Sequence, residues 1–95
     1  MTYIWARTIV RHRIDRSETA PLENGDVLEA LSQLCARMDI PRPMILPKHR
    51  REWEQFGQTA FTRDHFVESV HFDRLELESY DPDASRKGSR DPRNA

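Results

Sequence analysis

The chain contains 95 residues, 37% of them hydrophobic and 33% charged, and its net charge is −1. That length allows one domain with a modest core and excludes a second domain of ordinary size. Because there is no run of about 18 apolar residues and no signal-peptide core at the start, we expect a cytoplasmic protein that makes no membrane contact. The single cysteine, Cys35, rules out an internal disulfide framework, and its place among apolar residues predicts a buried structural thiol.

The N-terminal segment alternates between two kinds of side chain. Every second residue from Ile4 onward falls on one face of an extended chain, and those from Trp5 onward fall on the other. This period of two predicts a long strand with one wet face over residues 3–14. A turn at residues 15–18 and a short return strand at residues 19–22 would complete a hairpin.

One helix with clear start and stop signals is predicted from Asp26 to Met38. Six apolar residues recur at the spacing of one stripe on a 3.6-residue repeat: Val27, Leu28, Leu31, Leu34, Cys35 and Met38. Asp26 is positioned to accept a hydrogen bond from the first turn, and Glu29 completes a capping-box-like start. Pro41 closes the far end, because the residue before a proline disfavours the helical conformation.

The middle of the chain predicts three short elements. The apolar run between prolines at residues 43–47 indicates a third strand, which its prolines place at an edge of the sheet. Residues 48–56 predict a second helix that Gly57 ends, and Thr62 is expected to cap a single turn after it. Three apolar side chains are expected to seal the core in this region: Phe61, Phe66 and Val67.

A last strand is predicted to end near Tyr80, with Val70, Phe72, Leu75 and Leu77 forming the approach to it and its body, and with Glu76 and Glu78 facing water. Residues 81–95 contain no large apolar side chain, so we expect a disordered polar tail there and a single domain over residues 1–80. The predicted fold class is α+β, a small mixed sheet with one main helix packed across it and a short second helix. The order of the elements is similar to that of the β-grasp architecture.

A second likeness covers roughly the C-terminal half of the chain. Its residues are the run Glu52-Trp53-Glu54-Gln55-Phe56, then Phe61, Asp64-His65-Phe66, residues 72–78 and Asp91-Pro92-Arg93-Asn94. In these residues the chain resembles a family of small proteins from anaerobic gut bacteria and their mobile elements. The resemblance implies a bacterial protein associated with a mobile element, and it assigns no activity, cofactor or site residue.

The near-neutral net charge hides a segregation of basic and acidic segments along the chain. Phosphate contacts would fall to five arginines: Arg7, Arg11, Arg13, Arg50 and Arg51. Trp5 or Tyr3 would then be available to stack on a base. The alternative is that the arginines lie over the sheet and pair with acids such as Glu76 and Glu78, which would cancel the patch. Because a nucleic-acid-binding domain is usually basic overall, we favour the second interpretation.

Apolar residues of two predicted elements are candidates for contacts with a partner protein. Trp53 and Phe56 belong to the predicted second helix, and Met44 and Ile45 to the predicted edge strand. Aromatic anchors dominate many interfaces, and an edge strand can pair with a strand of a partner. The alternative is that the aromatic side chains belong to the core, and of Trp53, Phe56 and Phe61 we expect at least two to be buried.

Signals for catalysis or cofactor binding are weak. His49 and His65 each have a glutamate three residues on, but a metal site needs at least three converging ligands. The sequence has no phosphate-binding glycine loop, no nucleophile elbow and no cysteine cluster. We therefore predict a protein with no enzymatic activity, no cofactor and no metal.

The favoured function is a protein-interaction module, an adaptor or accessory protein whose protein partner is unknown. The first alternative is a nucleic-acid-binding accessory protein that uses an arginine-rich sheet face. The second is an enzyme or metal protein that uses His49 and His65.

Overall fold

A computed structural model describes residues 2–81 of the chain. The regular elements are β1 (Tyr3–Val10), β2 (Arg13–Pro21), α1 (Val27–Met38), α2 (Pro47–Phe56), β3 (Gln58–Thr62) and β4 (Arg74–Tyr80). Single 3-10 turns occur at Glu23–Gly25 and Arg63–His65. The tail predicted at residues 81–95 lies, apart from Asp81, outside the described residues. No helix among residues 2–81 is long and apolar enough to cross a membrane.

The four strands form one sheet in the order β2-β1-β4-β3, with both helices on one face. The α+β class, the main helix across the sheet and the short second helix are confirmed. Every strand pair is antiparallel, which differs from the mixed sheet expected. The reason is that two successive helices, instead of one helix and a strand, separate β2 from β3. The chain therefore consists of two antiparallel strand pairs joined through α1 and α2.

The first hairpin turns earlier than its alternating pattern predicts. The strand expected to reach residue 14 ends at Val10, and residues 15–18, expected as a turn, belong to β2. Arg11 and His12 form the turn, with φ angles of 52° and 70°. A two-residue hairpin of this hand needs positive φ at both positions and usually carries Asn-Gly, so Arg-His gives no sequence signal.

Helix α1 confirms the prediction at both ends and along its stripe. The Asp26 side chain accepts a hydrogen bond of 3.1 Å from the Glu29 backbone N–H, which satisfies a free amide of the first turn. The apolar stripe packs on the sheet and buries Leu34, Cys35 and Met38. Burial raises the pKa of the Cys35 thiol to about 11, so it stays protonated at neutral pH. This behaviour is that of a structural thiol.

The third predicted strand does not form in the segment between the helices. Residues 39–46 form no regular element, and Pro47 is the first residue of α2 rather than the end of a strand. A proline fits the first helical position, where its missing N–H costs nothing, and contributes no donor to a strand. Helix α2 ends at Phe56 with Gly57 in the left-handed conformation, as predicted. The edge strand that follows the two helices is instead β3, which was not predicted from the sequence.

The hydrophobic core lies between the sheet and the two helices. Its largest fully buried apolar side chains are Ile4, Leu34, Met38, Phe61, Phe72 and Leu75. No helix formed by residues 2–81 lies over the opposite face of the sheet, which carries mostly polar and charged side chains. This arrangement leaves two surfaces for function, the open sheet face and the outer surface of the helices.

Candidate functional site

An apolar concavity lies between α1 and α2, above the core face of the sheet. It encloses a volume of about 110 Å³. Its walls are Leu28 and Leu31 from α1, Trp53 from α2 and Ile45 from the segment before α2, and Phe61 of β3 forms part of the floor. Arg50 and Glu54 stand at its rim on α2. The lining is therefore apolar with charges only at the edge.

A second concavity continues from the first. The two share Leu28, Leu31 and Ile45, and the second extends past these residues to Val67. The remaining lining residues of the second concavity are Pro41, Arg42, Pro43 and Glu68. Together the two concavities make one continuous surface, which we call the apolar groove.

Two residues that line the apolar groove, Leu28 and Val67, have exposed side chains, and two more exposed apolar residues lie in the segment before α2. The exposed fraction is 44% for Leu28, 45% for Met44, 38% for Leu46 and 87% for Val67. A single exposed apolar residue on a protein surface needs no explanation, whereas a cluster around a concavity is typical of a binding surface. The apolar groove is therefore the best candidate for a functional site.

The predicted partner-binding residues fall into two places. Trp53 and Ile45 line the cavity of the apolar groove together. Met44 lies in the chain between two lining residues, Pro43 and Ile45. Phe56 is 67% exposed and lines a different concavity at the β3 edge, near Arg7 and Glu76. Trp53 is half-buried against the core and Phe61 is fully buried, so two of the three candidate core aromatics pack there.

The exposure of two groove residues was not expected from the sequence. Leu28 belongs to the apolar stripe of α1, but it lies at the edge of the stripe that the sheet does not cover. Val67 was expected to seal the core and is instead exposed, because Phe66 and Phe72 fill that region with their ring centroids 5.3 Å apart. The polar residues Glu68 and Ser69 after Val67 are the only sequence signal for this exposure.

The arginines of the nucleic-acid alternative do not form one set. Arg7 lies on the open sheet face, where its Nε donates to Glu76 over 2.7 Å and Nη1 donates to Glu78 over 3.2 Å. Its guanidinium also covers the Trp5 ring at 4.3 Å. Arg50 lines the apolar groove on the other face of the sheet, and Arg11 lies in the hairpin turn. The remaining two, Arg13 and Arg51, are exposed on β2 and α2.

The positive charge of Arg7 is therefore paired with acidic side chains of the protein itself. Burial raises the pKa of Glu76, but hydrogen bonds from Arg74 and Arg7 outweigh burial and hold the pKa below its ordinary value. Glu76 consequently stays ionised and keeps the pair intact at neutral pH. The pairing of arginine with Glu76 and Glu78, considered from the sequence, is observed for Arg7.

His49 is a buried polar group beneath the apolar groove. Its side chain is 2% exposed, and its Nδ1 accepts a hydrogen bond of 3.0 Å from the Leu46 backbone N–H at the start of α2. Its ring lies 4.3 Å from the Phe61 ring and 4.6 Å from the His65 ring. Among residues 2–81, Nε2 has no hydrogen-bond partner, and the backbone of Ala60 only offsets part of the lowering of the His49 pKa.

The two histidines do not form a metal site with the acids near them. The Nδ1 of His65 accepts the Thr62 backbone N–H over 2.9 Å, as that of His49 accepts Leu46. Within residues 2–81, no group of three or more histidine, cysteine or acidic side chains is placed to hold a metal ion. The observed role of both rings is to cap short helical segments.

We expect the free energy of unfolding to fall as the pH drops below about 6.5, the ordinary histidine value. Burial, followed by the charges of His65 and Lys48, lowers the pKa of folded His49, so the unfolded state binds more protons in this range. The stability is fully present above that pH and is lost as the pH falls toward the folded pKa, by at most about 1.4 kcal/mol per pH unit. Urea unfolding between pH 5 and pH 8 measures it.

Two histidine variants, one as the test and one as its control, show whether His49 is the source of this pH dependence. His49→Gln keeps an acceptor for the Leu46 N–H without a titrating ring, so its stability should depend less on pH. His12→Asn, in the exposed turn, should keep the dependence of the native chain. Equal pH profiles for the native chain and His49→Gln would contradict the assignment.

Comparison with known proteins found no matching family model, no similar curated protein and no similar solved structure. The fold and the groove define the class, a small α+β domain with an open antiparallel sheet and an apolar groove between its helices. The functional proposal consequently rests on the geometry of this chain.

Proposed function

We propose that this chain is a protein-interaction module without enzymatic activity, and that it binds a protein partner through the apolar groove. The observation that supports the proposal best is the cluster of exposed apolar side chains, Leu28 and Val67 among them, around a cavity lined by Trp53. Interfaces are commonly built from such an apolar centre with a polar rim. The proposal includes a cytoplasmic location and, as the family resemblance implies, a role as an accessory protein of a mobile element.

The chemistry of the groove favours a protein over a small polar substrate. Its walls offer aliphatic and aromatic carbon, and the charged groups stand only at the rim. The buried nitrogen of His49 that has no partner is a single polar group, whereas catalysis requires a nucleophile, acid or base in mutual contact. An apolar side chain of a partner would find contact on several sides here.

The open sheet face supports the nucleic-acid alternative less well. It carries Trp5 and the stacked rings of Tyr3 and Tyr80, 5.7 Å apart, which would suit bases. Its charges, however, are balanced, because Arg7 and Arg74 are paired with Glu76 and Glu78. Without free positive charge, the term that dominates affinity for nucleic acid is missing on this face.

The test compares partner capture by two variants of matched exposure. Leu28→Glu places a charge in the apolar groove, and Ile14→Glu places one on the hairpin, at positions that are 44% and 52% exposed. Tagged native chain and both variants are crosslinked in cells, purified and analysed by mass spectrometry. We expect the native chain and Ile14→Glu to recover the same partner and Leu28→Glu to lose at least nine tenths of it, about 1.4 kcal/mol or more of binding energy.

A folding control separates loss of binding from loss of structure. Because Leu28 is already nearly half exposed, Leu28→Glu should unfold within a few degrees of the native chain. Recovery of an identical set of proteins by all three chains would show that the partner binds elsewhere. Loss of the partner by Ile14→Glu alone would direct attention to the hairpin and the open sheet face.

A further inference from the structure

We infer that the apolar groove is occupied by a second copy of this chain, related to the first by a two-fold axis. The inference rests on the proposed function and names the partner. The groove has two different ends that share a middle of Leu28, Leu31 and Ile45. We call them the Trp53 end, where the cavity lies, and the Val67 end, where Val67 is exposed.

The charges at the two ends are self-complementary. The Trp53 end carries Arg50 and Glu54, and the Val67 end carries Arg42 and Glu68. Among residues 2–81, none of these four side chains forms an ion pair within the protein. Each end thus presents one unpaired charge of either sign, and a partner charged with one sign only would leave half of them unmatched.

A second copy, turned end for end, matches all four charges. Its Val67 end then faces the Trp53 end of the first copy, so that Glu68 of one chain meets Arg50 of the other. Arg42 of one chain likewise meets Glu54 of the other. In a two-fold interface each contact occurs twice, so the pattern is satisfied from both sides with no residue left over.

The shapes of the two ends also correspond. Val67 is 87% exposed, so its side chain is accessible to a partner, while the Trp53 end holds an apolar cavity of about 110 Å³. An apolar cavity of about 150 Å³ in another protein holds benzene, so this one has room for an aliphatic side chain. Val67 of each copy would enter the cavity of the other, and Leu28 and Ile45 would pack about the axis.

Residues 82–95, which follow the described residues, do not suit the cavity. They contain no large apolar side chain with which to fill it. A partner with a different sequence would have to reproduce both the apolar centre and the alternating charges of the rim. A second copy supplies them without further assumption.

The test is sedimentation velocity of the purified full chain between about 1 μM and about 1 mM, a range that covers ordinary dimer affinities. We expect the mass to rise with concentration from 11.2 kDa to twice that value. Val67→Glu should raise the dissociation constant at least about tenfold, since it places a charge in the apolar cavity. Ile14→Glu should leave the constant unchanged. Because Val67 is almost fully exposed, Val67→Glu leaves the fold of the monomer intact.

Charge reversal tests the end-for-end arrangement. Glu68→Arg alone and Arg50→Glu alone should each weaken the dimer roughly fivefold, since each contact occurs twice and exposed pairs are individually weak. The double variant should return to within about twofold of the native constant, because every contact regains opposite charges. A double variant that is as weak as the singles would overturn the arrangement.

Two further outcomes would overturn the inference of a second copy. One is a native chain that remains at 11.2 kDa at the highest concentration, and the other is a dimer that Val67→Glu leaves unchanged. If the native chain is a monomer and Leu28→Glu loses a captured protein other than this chain, the dimer is refuted and the proposed function is kept. If the native chain is a monomer and Leu28→Glu loses no captured protein, both the dimer and the proposed function are refuted.

Discussion

Phe61→Ala is expected to lower the free energy of unfolding by about 3–5 kcal/mol, the largest effect we predict for a single substitution. Phe61 is 2% exposed, and its ring lies 4.3 Å from the ring of His49. Its removal leaves a void between β3 and α2 that the backbone of an edge strand closes only in part. Since a domain of this size has roughly 5–15 kcal/mol of stability, the variant should be close to its unfolding threshold at room temperature.

The matched control is the phenylalanine five residues earlier. Phe56 is 67% exposed, so Phe56→Ala should change the free energy of unfolding by no more than about 0.5 kcal/mol. Urea unfolding of both variants measures the difference, and an unchanged slope with denaturant shows that the native fold is retained. Similar losses in the two variants would mean that Phe61 is not the core side chain that joins β3 to α2.

Local signals explain which elements were predictable from the sequence. Helix α1 has its cap directly before its first residue, its apolar stripe along its length and its closing proline three residues after its end, so its signals lie in one continuous segment. The same holds for α2 with Gly57 and for the 3-10 turn after Thr62. Interactions between near neighbours in sequence can be read directly from the order of the residues.

Elements decided by distant contacts were not predictable in the same way. The Arg11-His12 turn has positive φ at two residues that do not favour it, and it depends in part on Asp73, whose Oδ2 accepts the Arg11 backbone N–H over 2.9 Å. Asp73 lies at the other end of the chain, immediately before β4. Tertiary structure thus fixes the length of β1, and the alternating pattern alone favours a longer strand.

The candidate site shows the same division. Trp53 was identified as one of three aromatic residues close together in the sequence. Met44 and Ile45 were identified as part of an edge strand, and that strand does not form. Leu28 and Val67 were not identified, because their exposure depends on how wide a stripe of α1 the sheet covers and on which rings fill the space beside Phe66. Six apolar positions on α1 make the stripe wider than its contact with the sheet, and the excess forms the wall of the apolar groove.

Gly57→Ala is expected to destabilise the fold by about 2 kcal/mol, of which about 1 kcal/mol is the cost of the left-handed conformation for a residue with a Cβ. Gly57 ends α2 at a φ of 67°, and a Cβ added there would lie 2.6 Å from Ser79 Oγ. The Ser79 hydroxyl donates to the Gly57 carbonyl over 3.1 Å, and the Ser79 backbone N–H donates to the same oxygen over 2.7 Å. An alanine would therefore force the hydroxyl away from its acceptor where α2 passes into β3.

Gly25→Ala separates the backbone cost from the contact with Ser79. Gly25 has nearly the same φ, 71°, but an added Cβ would have no atom within 4 Å, so Gly25→Ala should cost only about 1 kcal/mol. In a Ser79→Ala background the clashing hydroxyl is gone, and Gly57→Ala should then cost about as much as Gly25→Ala. Urea unfolding of the native chain, Gly57→Ala, Ser79→Ala and the double variant gives the contribution of the contact as a double-mutant cycle, and Gly25→Ala is measured beside them. If the cost at Gly57 is the same with and without the Ser79 hydroxyl, the contact contributes nothing, and the left-handed backbone alone explains why glycine stands at the end of α2.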